Sequence, residues 1–430
     1  MAKFTRPSLY NKILIDNGTK TVDIKEATTT FSYYESLFSP HVTATLSYVD
    51  TGNSVRAEND QDTQERVGTV FSSLPLRGGE KVQVIIEPQN GGLTLDFDDY
   101  PLYVTGISIP RDEYSRQIVV LNLSSESAIK NENKTLYKKY YNNIGNTVSQ
   151  ILTQELEIPS SRLSIESTSN SYAFPGSARR PFDTILSLAP KSVPSSGIPG
   201  YFFWENRQFF NFKSIDSLVK ANPIANYFYT NVVGNAESSN YRILNYTTTK
   251  NQNILSALRA GVYRTKNVFF DPFTFKYNEI YLKLSESGFE FLGDDPEYPD
   301  EFESSTAFTR TNYFVLDTGN MEVGLSTSIN NDPRTYHAKS IMRYNVLFSQ
   351  ITNIVVPCNL SLKAGDNITV TFPKITSGNS SQGIYDESLS GKYLILHLSH
   401  QFTPDGQYGS TTHMTLIRDT YGGLYTSGGT

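Results

Sequence analysis

One pattern occurs near both ends of this 430-residue chain and limits the available folds more than any other feature. Gly79-Glu80 is followed by Val82, Val84 and Ile86; Gly365-Asp366 is followed by Ile368, Val370 and Phe372 at the same offsets. A second β-prone run comes next, Leu102-Tyr103-Val104 in the first stretch and Lys392-Tyr393-Leu394 in the second. Each then has a turn, a tyrosine (Tyr114 or Tyr408) and a return strand ending at Leu123 or Ile417. Alternation alone is common to half-buried antiparallel strands, and identity between the stretches is low. The shared order of strand, strand, turn, tyrosine and strand favours two copies of one barrel-like module over that background.

The chain is too long for one core, because domains run about 100 to 200 residues. Residues 1–125 read as a first tube-like β-barrel domain. Short β-prone runs flank Asn17-Gly18, a hairpin dipeptide that tolerates positive φ, and Val42, Ala44, Leu46 and Tyr48 alternate with polar neighbours. Residues 126–235 read as a small α+β domain. Val148, Ile151, Leu152 and Leu156 recur there at helical spacing before Pro159. Pro181 opens a second helix with Phe182, Ile185, Leu186 and Ala189 on one side. Two aromatic arms, residues 201–204 and 209–212, form a hairpin around the polar turn Glu205-Asn206-Arg207. Residues 236–420 read as a second tube-like β-barrel domain, with a helix in 338–351 and an irregular acidic excursion at 293–333; residues 421–430 form a flexible tail. The predicted class is mainly β with an α+β insertion: two tandem antiparallel tube-like β-barrel domains plus a small α+β domain.

Composition narrows the function. Lys plus Arg number 37 and Asp plus Glu 43, a net charge of −6, so nothing draws the chain to polyanions. The lone cysteine, Cys358, excludes a disulfide within the chain, and with five scattered histidines leaves no Cys/His metal cage. No apolar run approaches the roughly 20 residues of a membrane span, and residues 1–12 lack a signal-peptide core. The expectation is a soluble protein not exported by that route. Asp96, Asp98 and Asp99 could pair for glycoside hydrolysis, but among turn residues neither acid would be desolvated. His397 and His400 fall on opposite faces of one strand, which defeats joint metal binding unless the strand is bulged. Cys358 reads as a small buried residue with no placed partner base. The aromatic hairpin could stack bases or sugars, though imperfect alternation favours core or interface use. No catalytic residue, cofactor or metal ligand is assigned.

Two stretches carry a family likeness. Residues 200–218, reading GYFFWENRQFFNFKSIDSL, resemble part of the baseplate hub proteins of contractile-tailed phages. So does the closing stretch, from Leu362-Lys363-Ala364-Gly365-Asp366 through Ser390-Gly391-Lys392-Tyr393 to His400, Tyr408 and Arg418; late control protein D and type VI secretion spike hubs share that ending. The resemblance implies a homotrimeric ring of tandem tube-like barrels, a symmetry adaptor of pseudo-six-fold order. It joins the six-fold tail tube, or a tube-initiator protein, above to a three-fold spike protein below. The implied setting is the tail baseplate of the virion, assembled in the host cytoplasm, with no enzymatic activity and no cofactor. Wedge proteins and the tape-measure protein are further implied neighbours; DNA passes through the lumen without specific binding, and no membrane is involved. The sequence carries no spike segment after the second barrel, so the spike is expected on a separate chain. Sheet edges can pair across subunits, which makes the strands of Val82, Val84, Ile86, Tyr103, Ile368, Val370, Phe372 and Tyr393 candidate ring interfaces. The alternatives are a virion adhesin or glycan-binding module, suggested by Tyr, Asn and Asp richness, and a cell-wall hydrolase.

Overall fold

Alternation becomes strands throughout the computed structural model, which describes residues 6–51, 70, 74–88, 92–113, 116–230, 240–250, 253–293, 308–316, 332–374, 385–386, 388–404 and 409–420. The first β region contains β1 (Ser8–Asp16), β2 (Thr21–Asp23), β3 (Thr28–Ser36), β4 (Thr43–Asp50), β5 (Lys81–Pro88), β6 (Leu95–Asp96), β7 (Leu102–Glu113) and β8 (Arg116–Ser125). On β4 the residues Ala44, Leu46 and Tyr48 are buried between half-exposed neighbours. The hairpin at Asn17-Gly18 forms as a four-residue loop: Asn17 Oδ1 accepts from the Thr19 and Lys20 backbone amides, and Gly18 supplies the positive φ.

The middle region holds α1 (Glu126–Glu132), β9 (Lys139–Tyr140), α2 (Ile144–Gln150), β10 (Leu163–Ile165), β11 (Phe174–Pro175), α3 (Pro181–Leu188), β12 (Tyr201–Glu205), β13 (Phe210–Ser214) and α4 (Ile215–Lys220). Helix α2 runs on into a π-helical turn at Ile151–Glu155, so Val148, Ile151, Leu152 and Leu156 all reach the core shared with Phe182, Ile185, Phe203 and Phe210. Pro181 occupies the first turn of α3, where no amide is needed. Leu186 faces outward, and Leu188 takes the buried place instead.

The second β region contains β14 (Ala225–Phe228), β15 (Asn245–Lys250), α5 (Ile254–Ala260), β16 (Arg264–Asp271), β17 (Lys276–Lys283), β18 (Arg310–Val315), α6 (Pro333–Leu347), β19 (Gln350–Pro357), β20 (Asn367–Thr371), β21 (Gly391–Phe402) and β22 (Thr411–Arg418). The helix expected in 338–351 starts earlier and ends before β19. The excursion at 293–333 includes β18, which pairs in parallel with β16, itself antiparallel to β17. Residues 294–307 and 317–331 of that excursion, Tyr114, Tyr408 and the tail 421–430 lie outside the described residues.

The two β regions repeat one topology. Strands run in the order β5-β7-β8-β4-β3 in the first and β20-β21-β22-β19-β15 in the second, with the same succession along the chain. The match extends to single hydrogen bonds. Gly79 N donates to Val104 O at 2.7 Å and Val104 N to Glu80 O at 2.9 Å; Gly365 N donates to Ile395 O and Ile395 N to Asp366 O, both at 2.9 Å. Both long strands bulge one residue later, between Val104 and Gly106 and between Ile395 and His397. The register corrects one detail of the sequence alignment: Lys81 pairs with Tyr103 and Val82 with Leu102, whereas Ile368 pairs with Tyr393. The counterpart of Tyr393 is therefore Leu102.

The expected tandem tube-like β-barrels are not present. Among the described residues no sheet closes on itself; both copies belong to one open 14-stranded sheet with the path β15-β19-β22-β21-β3-β4-β8-β7-β5-β1-β2. Strand β3 pairs its outer edge with β21 of the other copy, from Phe31 opposite Phe402 to Ser36 opposite His397, rather than with a strand of its own copy. Alternation dictates which side chains face a core; it carries no information on which edges meet. The fold is mainly β with helical insertions, and the main cores lie under the first copy, the middle region and the second copy.

Candidate functional site

Cross-strand register lays one row of residues across eight strands. Asn245, Val355, His413, Ser399, Tyr34, Thr43, Ser124 and Tyr103 stand side by side on β15, β19, β22, β21, β3, β4, β8 and β7. A second row, Thr411, Gln401, Ser32, Thr45, Asn122 and Gly106, spans β22 to β7 on the same face. Side chains alternate across a sheet, so these positions are the reverse of those that bury Phe31, Tyr33, Ala44 and Leu46. None is Lys, Arg, Asp or Glu, in a chain that is 19% charged. Desolvation lowers the pKa of His413, and of His397 on the same face, so both stay neutral at pH 7. Within these eight strands the two rows are rich in hydroxyls and amides and carry no formal charge; beyond Tyr103 the first row continues onto Lys81 of β5 and Asp16 of β1.

Buried carboxylates tie the three regions together, Glu35 between the two copies and Glu205 between the first copy and the middle region. Glu35 on β3 accepts from Tyr33 Oη at 2.7 Å, from the Ala364 amide at 2.9 Å and from the Arg207 amide at 3.2 Å, which ties both copies to the aromatic hairpin. Glu205, at the end of β12, accepts from Ser125 Oγ at 2.6 Å, from the Val42 amide at 3.1 Å and from Arg162 at 3.3 Å. Desolvation raises both carboxyls above the ordinary range, outweighing those hydrogen bonds. Trp204 Nε1 donates to Ala364 O at 3.1 Å, and Gly365 sits so close that a Cβ there would lie 2.7 Å from Trp204 Cζ2. Arg343 on α6 is buried between Asp216 at 3.2 Å and Asp419 at 3.3 Å.

Of the residues on the candidate interface strands, Val82, Val84, Ile86, Ile368, Val370, Phe372 and Tyr393 have side chains inside the copies' own cores. Tyr103 is half-buried on the uncharged face. The structure thus groups them by copy, three in the first core and four in the second. Asp98 accepts from Lys12 Nζ at 2.7 Å and Asp96 accepts from the Asp98 amide, as turn residues do. His400 is buried beside Thr412 Oγ1 at 2.9 Å and burial lowers its pKa to about 3, while His397 lies on the opposite face. Burial pushes the Cys358 thiol up to about 12, which leaves no thiolate at neutral pH. Among the described residues no group of three or more His, Cys, Asp or Glu could hold a metal ion, and no helix is long and apolar enough to cross a membrane. The aromatic hairpin is packed: Tyr201, Phe203, Phe210 and Phe212 fill the middle core, and Phe202 and Trp204 pack toward the second copy.

Sequence reasoning missed an exposed aromatic surface. Tyr277 and Tyr281 on β17, Tyr313 and Val315 on β18, and Phe273 and Phe275 in the β16–β17 turn are all at least half exposed. The signal was present in KYNEIYLK, where both tyrosines alternate with Ile280 and Leu282.

No family model matches the sequence, and no curated protein matches it. Solved structures do. A tail protein from Neisseria meningitidis MC58 aligns over 95% of this chain and 96% of its own, at 10% identity and a TM-score of 0.54. The 43 kDa tail protein of prophage MuSo2 from Shewanella oneidensis aligns over 95% and 98%, at 11% identity and a TM-score of 0.53. A component of the type VI secretion system of E. coli aligns over 96% and 79%, at 9% identity and a TM-score of 0.45. The chain has the fold of the two tail proteins along nearly its whole length.

Proposed function

We propose that this chain is the structural hub of a contractile phage-tail baseplate: a homotrimer whose six β copies form a pseudo-six-fold ring between the tail tube, or a tube initiator, and a three-fold spike. What supports the reading is the duplication, in strand order, glycine hydrogen bonds and bulge, within a fold shared with tail proteins. Three two-copy chains related by a three-fold axis present six like units. The proposed units are residues 1–125, 126–235 and 236–420, the first and third sharing one open sheet. Of strands β5, β7, β20 and β21, β7 offers the ring a backbone edge that no described strand fills, while the apolar side chains on β5, β20 and β21 serve the cores.

The uncharged face lines the lumen in this reading. Lys or Arg there would hold DNA through counterion release, and a dense acidic lining would repel it; hydroxyls and amides do neither. The hub performs no chemistry and takes no cofactor. It works in the virion after assembly in the host cytoplasm, beside wedge and tape-measure proteins and away from membranes. Mass photometry of the purified chain, alone and with its spike, should give a trimer or a trimeric complex, and end-on class averages should show six lobes. A folded monomer that ignores the spike overturns the reading.

The exposed aromatics of β17 and β18 favour one second reading, a glycan-binding module, because aromatic faces stack on sugars. Glycan-array binding that disappears in Tyr313→Ala would select it.

A further inference from the structure

The two copies make the same internal strand pairs, but only one has its remaining edge filled. The first half of β21 pairs with β20, and the second half takes β3 in antiparallel register. Strand β7 is the counterpart of β21. Its start pairs with β5, and beyond the bulge at residue 105 its outer edge meets no strand among the described residues. Strand β15 is the counterpart of β3. It pairs with β19 on one side and, among the described residues, with no strand on the other. Among the described residues, the outer edge of β7 and the strand β15 are therefore both unfilled and are related to each other as β21 is to β3.

Side-chain exposure agrees. His400 stands opposite Tyr33, stacks on its ring at 6.2 Å and is 2% exposed. Counted through β8 and β22, His400 corresponds to the place opposite Val119, where β7 bulges between Ser108 and Arg111 and holds Ile109 and Pro110; Ile109 is 42% exposed. Pro110, which follows, is a residue that edge strands tolerate.

We propose that β15 of one chain adds to the outer edge of β7 of a second copy, antiparallel, repeating the β3–β21 contact, so that three chains close head to tail with six like junctions. The proposal rests on the trimeric-hub reading and specifies its interface. Thr248 corresponds to Tyr33, since each stands opposite the matching residue of its neighbouring strand, Thr352 or Ala44. The contact accordingly sets Thr248 beside Ile109 of the next chain. Such a head-to-tail contact closes only when its rotation divides the circle, and it removes the open edges that invite aggregation.

The test is the full-length double variant Ile109→Cys/Thr248→Cys, oxidised at a concentration where mass photometry reports the oligomer. A thiol-reversible ladder ending at the trimer is expected on denaturing gels. Product should fall at least about tenfold for Ile109→Cys/Asn245→Cys, which is displaced by three residues, roughly 10 Å along a strand. Ile109→Lys, at a position already exposed in the single chain, should leave the fold intact and raise the trimer dissociation constant at least about tenfold, as inward charges on edge strands do. A trimer that forms yet neither cross-links at this pair nor responds to Ile109→Lys overturns the strand addition and leaves the trimer standing. A folded chain that is monomeric at every concentration overturns both.

Discussion

Gly365 and Gly79 hold the same place in the two copies and the same left-handed backbone, with φ of +90° and +92°, yet their surroundings differ. A Cβ at Gly79 meets nothing within 4 Å, whereas one at Gly365 meets the Trp204 ring. Gly79→Ala should cost about 1–2 kcal/mol from the positive φ alone, and Gly365→Ala about 2–4 kcal/mol once the overpacking is added; equal losses in urea unfolding would contradict this. Glu35 makes a pH prediction. Burial raises its folded-state pKa above the roughly 4.3 of an unfolded glutamate, so the folded state holds the proton more tightly. Its contribution is fully present below that unfolded value and is lost as pH rises through the folded one. The stability of the native chain relative to Glu35→Gln should therefore rise as pH falls from 8 toward 4.5. A gap that stays constant or shrinks on acidification would speak against it. Neither carboxylate was legible beforehand. Glu205 reads as a polar turn residue, and its burial comes from Val42 and Ser125, partners 163 and 80 positions away.

At the scale of the element, α2, α3 and α6 and most strands were readable, because helical periodicity, alternation and proline stops act over a few residues; α1 and α4, each seven residues or fewer, were not. Register was not. Aligning Tyr103 with Tyr393 is natural in sequence, but hydrogen bonds counted from Gly79 and Gly365 set Leu102 opposite Val82 and Tyr393 opposite Ile368. One residue of slip turns a side chain to the other face. Tyr393, fully buried with its hydroxyl on Leu389 O and Gln350, should cost about 3–5 kcal/mol as Tyr393→Ala. Tyr103→Ala should cost less than about 1 kcal/mol in the isolated chain. Thermal unfolding of the two variants ranks them, and the reverse order would undo the register argument. Strand β18 escaped for a related reason: its six residues lie in a span whose acidic and proline-rich start reads as loop.

For the whole molecule, the neutral face makes the most direct prediction. The native chain should not retain duplex DNA on filters at about 50 mM salt, whereas Thr45→Lys/Asn122→Lys/Gln401→Lys should, with log affinity falling against log salt by up to about 0.9 per contact. Steep salt-dependent binding by the native chain would end the lumen reading. The duplication itself was written in the sequence, as matched offsets after Gly79 and Gly365. So were most strands and the helix stops, since each depends on side-chain type within a short window. Tertiary structure alone decided that β3 joins β21 rather than its own copy, so that one open sheet replaces two barrels, and that Glu35 lies buried between the copies and Glu205 between the first copy and the middle region. The physical reason is that every strand edge offers the same backbone amides and carbonyls. Which edges meet is settled by how the whole chain packs, and no local stretch of residues encodes it.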